Sequence, residues 1–164
     1  MDENQKRYFY EMFDMYVHKT YYSKCLDWCK SFDKWIQIIV SIITIVGISV
    51  LQSKFKNIEI WFYLMVGLQI LSLILSLFFD AKGKIIKLEL LLKELNTLYI
   101  EIANEWFNVS NGNLSRFEIH KLWLDFKKRN DSLELPDGTI GWFWYMSSSE
   151  KEAKTYFDKY YPKE

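Results

Sequence analysis

The chain has 164 residues, and its Lys+Arg and Asp+Glu counts balance at 21 each. A formal net charge of zero gives no electrostatic basis for binding a polyanion, so no nucleic acid is expected as a partner. Half of the residues are hydrophobic and 18% are aromatic, which excludes a disordered chain, because such residues must be buried somewhere.

Residues 3–33 read as a long N-terminal helix with no Gly or Pro, and Phe9, Phe13 and Tyr16 share one of its faces. Cys25 and Cys29 stand one turn apart, a spacing that does not easily form a disulfide. A metal site would need more ligands, and His18 lies about two turns away while His120 is distant in sequence. They read as structural thiols, with no metal and no cofactor expected. The first apolar run begins only at residue 35, too late for a secretory leader.

Two uncharged apolar runs follow, Trp35–Leu51 and Ile60–Phe79, separated by QSKFKNIE. Each is long enough to cross a hydrocarbon core of about 30 Å. The expected fold class is therefore an all-α membrane protein: a two-helix transmembrane hairpin with N- and C-terminal cytoplasmic helices, assembled as an oligomeric bundle. Lys19, Lys24, Lys30 and Lys34 precede the first run, and Lys82, Lys84, Lys87 and Lys93 follow the second, against Lys54 and Lys56 between them. That bias places both termini in the cytoplasm, with Trp35, Trp61 and Tyr63 near the interfaces. Gln37, Ser41, Thr44 and Ile48 share one helix face, as do Gln69, Ser72 and Ser76. Two readings stand for these stripes: interhelical hydrogen bonding, or the lining of a water-filled path in an oligomer. Neither run carries Asp, Glu, Lys, Arg or His, which argues against a proton relay or a coupled transporter.

Past the second run, Ile85, Leu88, Leu92, Leu95, Tyr99, Ile102 and Trp106 recur at alternating spacings of three and four. This is a heptad seam on a helix over Lys84–Phe107, with Gly83 as a bend. It is read as an oligomerisation seam; packing on the chain's own N-terminal helix would bury the same residues. Leu90, Leu91 and Leu98 widen the apolar surface and favour a bundle over a dimer zipper.

Ser110-Asn-Gly-Asn113 marks a turn, with Gly112 as the helix stop. Ser115 and Glu118 form a capping box for a helix over Ser115–Arg129. Lys127, Lys128 and Arg129 at its end suit the helix dipole, or alternatively a bound phosphate. Asn108-Val-Ser and Asn113-Leu-Ser match the glycosylation triplet, without meaning at a cytoplasmic location. Residues 130–147 break the pattern through Leu-Pro-Asp-Gly, followed by Gly141-Trp142-Phe143-Trp144-Tyr145. Trp142 and Trp144 pack against the other helices, stack on a planar ligand such as a nucleotide base, or touch the membrane surface. Ser148 or Ser149 is expected to cap a last short helix running through Tyr161. Three segments result: 1–34, 35–80 and 81–164.

The chain has no G-x-x-x-x-G-K-[ST], G-x-S-x-G, H-E-x-x-H or paired CxxC motif and reads as a non-enzyme. The segments AKGKIIKLELLLKELNTLYIEIANEW to LWLDFKKRN, with the hairpin before them, resemble the SLATT-type and related two-transmembrane effectors of bacterial anti-phage nucleotide-signalling systems. The resemblance is one of architecture, without a diagnostic motif, and carries no residue role. It implies an antiviral defence effector that oligomerises and permeabilises the inner (cytoplasmic) membrane as a gated pore. It further implies a nucleotide second messenger and a nucleotidyltransferase partner. The alternative is a membrane-anchored scaffold or sensor that binds a cytoplasmic partner without forming a pore.

Overall fold

The computed structural model describes residues 1–52, 62–63, 65–70, 73, 81–133 and 143–161. Four helices are delimited: α1 (Glu3–Gln52), α2 (Ala81–Ser110), α3 (Arg116–Asp131) and α4 (Phe143–Tyr160). Residues 65–70 are also helical, and the described residues contain no strand.

Among the described residues, no helix is long and apolar enough to cross a membrane. The run Trp35–Leu51 is not an element of its own but continues a 50-residue helix that carries Asp27, Lys30, Asp33 and Lys34 immediately before it. Of the run Ile60–Phe79, only 62–63, 65–70 and 73 lie among the described residues. The expected fold class, a membrane protein built on a transmembrane hairpin, is corrected: the described residues are helical, and none of their helices is long and apolar enough to span a membrane. The multi-pass inner-membrane location falls with it, as do the antiviral, ion-channel and pore-forming assignments.

The chain divides into two compact units, Met1–Leu26 with Lys87–Glu164, and Asp27–Ile86. In the first unit α1 begins with a reciprocal cap that the sequence reading missed. The Asp2 backbone N–H donates to Gln5 Oε1 at 2.7 Å, and the Gln5 N–H donates to Asp2 Oδ1 at 2.8 Å. From there Tyr8, Phe9, Met12 and Met15 form a buried stripe at helical spacing. They share one core with Leu98, Tyr99, Ile102 and Val109 of α2, Ile119 and Phe126 of α3, and Phe157 of α4. Each such side chain contributes about 1.5–3 kcal/mol on full burial. Polar anchors fix the register of this packing. Tyr8 donates its hydroxyl to the Ile102 carbonyl at 3.0 Å, and Gln5 Nε2 donates to the Val109 carbonyl at 2.8 Å.

The heptad seam is spent inside the chain. Leu88, Leu95, Tyr99 and Ile102 are buried, while Ile85, Leu92 and Trp106 are half-buried. Leu98, Tyr99 and Ile102 pack with the N-terminal stripe of α1, as the alternative reading of the seam has it. Gly83 lies within α2. Gly112 ends α2 at φ +71°, where Asn113 N–H reaches the Asn108 carbonyl at 3.1 Å and Gly112 N–H the Val109 carbonyl at 3.3 Å. This is a Schellman stop. Ser115 caps α3 with the expected box, donating its N–H to Glu118 Oε2 at 2.8 Å.

The last helix departs from expectation. It starts at Phe143 rather than at a serine cap, and Ser149 is buried within it, donating to the Tyr145 carbonyl at 2.7 Å. A serine hydroxyl can serve an internal carbonyl as well as a helix start, and here it does the former.

In the second unit, the polar stripe of α1 bonds to its own helix. Gln37 Nε2 donates to Asp33 Oδ2 at 2.7 Å, Ser41 Oγ to the Gln37 carbonyl at 2.8 Å and Thr44 Oγ1 to the Val40 carbonyl at 2.8 Å. Gln37, Ser41, Thr44 and Gln69 are exposed. Ser72, Ser76 and the Ile48 side chain lie outside the described residues.

Candidate binding grooves

Among the described residues, two grooves on the first unit have defined linings. One lies between α1 and α4 and encloses about 470 Å³. Phe13 and Val17 of α1 and Met146 of α4 supply its apolar surface; Asp14, His18, Glu150, Lys151 and Lys154 supply its charge. The positions are fixed by helical spacing: 13, 14, 17 and 18 fall on one face of α1, and 146, 150 and 154 on one face of α4. No described hydroxyl or thiol lines this groove.

The wall carries both signs of charge, Asp14 and Glu150 beside Lys151 and Lys154. Burial pushes the Asp14 carboxyl above its ordinary value; His18 and Lys127 pull it back, and Glu150 pushes it up again. One turn earlier, burial also raises Glu11, against Lys127 and with the neighbouring Asp14 and Asp131 charges. Glu150 is the smallest of the influences on Asp14, and Lys151 and Lys154 line the same groove.

Elsewhere α1 and α4 meet through aromatic rings. The Tyr16 and Tyr156 rings stack at 4.5 Å between centroids and 15° between planes, and Phe13 meets Phe157 edge-on at 5.2 Å. Lys19 Nζ stands 4.9 Å from the centre of the Tyr99 ring and 5.8 Å from that of Tyr16. Burial lowers the Lys19 pKa. The Tyr99 hydroxyl is buried with no partner in hydrogen-bonding geometry; burial, and then the Tyr156 and Tyr161 phenols, raise its pKa. Lys24 also ties α1 to α4, with its Nζ 2.9 Å from both Ser148 Oγ and Glu152 Oε2.

The second groove, of about 410 Å³, lies between α2 and the end of α3 and is lined by Leu90, Lys93, Glu94, Thr97, Arg129 and Leu133, among others. Arg129, one of the expected phosphate ligands, donates Nη1 to Glu101 Oε2 at 2.6 Å. Lys127 Nζ lies 5.5 Å from the Trp123 ring centre and acts on Glu11 and Asp14. Lys128 is exposed. The three basic residues therefore point to different surroundings rather than into one cradle, because consecutive helical positions are about 100° apart. Trp142 and the Trp144 side chain lie outside the described residues.

Cys25 is buried and Cys29 half-buried, neither in a disulfide. Among the described residues, no group of three His, Cys, Asp or Glu side chains could hold a metal ion. The α1–α4 groove was missed in the sequence because Asp14 and Glu150 are far apart along the chain and match no motif. The one signal was the Phe9, Phe13 and Tyr16 stripe, which marks the covered side of α1 and hence the edge of the groove. No family model, no curated protein and no solved structure matches this chain.

Proposed function

We propose that the chain is a non-catalytic helical scaffold or sensor that holds a segment of a partner protein in the α1–α4 groove. The observation that carries this reading is the make-up of the groove: an apolar floor of Phe13, Val17 and Met146 under a rim of mixed charge. Its volume of about 470 Å³ falls in the range of about 300–1,000 Å³ that suits specific binding. The floor fits apolar side chains at helical spacing, and the Asp14 and Glu150 pair fits a basic residue beside them. A nucleophilic mechanism finds no described hydroxyl or thiol in this wall. A nucleotide signal would need convergent donors, and Lys127 and Arg129 are engaged with Trp123 and Glu101 instead.

A displayed library of amphipathic helical peptides, panned against the full chain, tests the proposal. Enriched peptides should carry an apolar face with a neighbouring Lys or Arg. They should lose binding to Met146→Glu and weaken on Glu150→Lys. Peptides indifferent to both changes would sink the reading. So would calorimetric titration with ATP or a cyclic dinucleotide that shows binding abolished by Lys127→Ala or Arg129→Ala.

A further inference from the structure

In the first unit, Tyr16 of α1 and Tyr156 of α4 lie face to face, with 4.5 Å between ring centroids and 15° between planes. Both are half-buried. Tyr160 follows one turn along α4, 4.7 Å from Tyr156, and is 56% exposed, so this column of rings reaches water. The neighbouring tyrosines meet it less squarely. Tyr99 stands edge-on to Tyr16 at 5.3 Å and 62°, and Tyr161 lies 6.3 Å from Tyr156 at 53°. Phenylalanine, as at Phe13 and Phe157 in the same interface, meets the need for packing alone. A phenol adds a polar hydroxyl and a ring that gives up an electron far more readily.

We propose that Tyr16 and Tyr156 form a modification site, where a peroxide-driven one-electron oxidant joins the two rings as dityrosine and ties α1 covalently to α4. Each phenol loses one electron to the oxidant and its hydroxyl proton to water, which leaves two phenoxyl radicals. The radicals join through their ortho carbons, and the hydrogens on those carbons move to the oxygens, restoring two phenols. Two electrons and two protons have then left the protein, and they reduce one peroxide to two waters. Coupling needs ortho carbons that meet, and stacked rings at 4.5 Å bring them together. The distance between ring centres changes little when the bond forms, so side-chain torsions close the gap and the helices need not move. Tyr99 is the poorer partner for Tyr16. It is edge-on, and its ring centre lies 4.9 Å from Lys19 Nζ, a cation that opposes the loss of an electron; the same Nζ is 5.8 Å from Tyr16. Tyr160 is tilted by 43° against Tyr156 and fixed to the same helix. A bond between Tyr16 and Tyr156 closes a loop between distant parts of the chain and restricts the unfolded state as a disulfide does. It also fixes the two helices that border the α1–α4 groove, whether or not a partner segment binds there.

Treatment of the full chain at high dilution with a haem peroxidase and hydrogen peroxide reads the outcome. The chain should gain dityrosine fluorescence and lose the mass of two hydrogen atoms without joining to another copy. Proteolysis and tandem mass spectrometry should find the peptide that holds Tyr16 bonded to the one that holds Tyr156. The treated chain should also unfold at a higher urea concentration than the untreated one. Tyr16→Phe keeps the ring and should keep its helical circular dichroism, but it should lose both the joined peptide and the added resistance to urea. Tyr160→Phe should retain both. A wild-type chain that forms no dityrosine overturns the proposal, as does one whose principal bond lies at another pair or between copies. A Tyr16→Phe variant that gains as much urea resistance as wild type overturns it too.

Discussion

Replacing Ile102 with alanine tests whether the α2 heptad is spent inside one chain. Ile102 has no exposed surface and belongs to the cluster that joins α1, α2, α3 and α4. Its carbonyl also receives the Tyr8 hydroxyl, so the two helices are pinned at this level and cannot slide to fill a void. Truncations of this kind cost about 2–5 kcal/mol, and a site walled by aromatic rings relaxes little, which puts the loss near 3–4 kcal/mol. Urea unfolding followed by circular dichroism should show the midpoint falling with an unchanged slope, the mark of lost stability rather than altered compactness. The difference from wild type should be the same at every protein concentration, and the variant should keep the wild-type oligomeric mass. A loss below about 1 kcal/mol, or a variant that drops to a smaller species, would refute the reasoning, because an interchain seam makes stability and mass depend on protomer concentration.

Gly112→Ala has open space for the new methyl group but must hold φ +71°, so it should cost about 1–2 kcal/mol by thermal or urea unfolding. Ser115→Ala removes the α3 cap and should cost about 0.5–2 kcal/mol, with Ser115→Thr retaining most of it. The folded-state pKa values of Glu11 and Asp14 are raised, so the folded state favours their protonated forms. Their contribution is therefore fully present below the ordinary carboxylate values and is lost as pH rises through the raised ones. Glu11→Gln with Asp14→Asn should consequently be more stable than wild type at neutral pH, and the advantage should vanish in acid; an advantage that grows in acid would reverse the assignment.

The stop of α2 and the start of α3 were legible from the sequence because their causes are local. Ser115 with Glu118 satisfies its own amides within one turn, and Gly112 occupies a backbone region that other residues avoid, so each boundary is decided by neighbours in sequence. The heptad of Ile85–Trp106 was equally plain as a pattern, but a period says only that a face is covered and not by which helix. The tertiary structure shows the covering helix for its last part: the α1 residues Tyr8, Phe9, Met12 and Met15 share one core with Tyr99 and Ile102. The α4 start at Phe143 was misplaced because a serine hydroxyl serves a helix start and an internal carbonyl equally well, and only packing, which buries Ser149, chooses between them. The apolar run from Trp35 was read as a span on hydropathy alone. In the fold it continues a charged helix, with Ser41 and Thr44 bonded to its own backbone and Ile38, Ile39, Ile42 and Ile45 exposed. The α1–α4 groove lay beyond the sequence altogether. Asp14 and Glu150 are joined only because two distant apolar stripes share one core, and a charge interaction across that distance is created by folding and recorded by no local pattern.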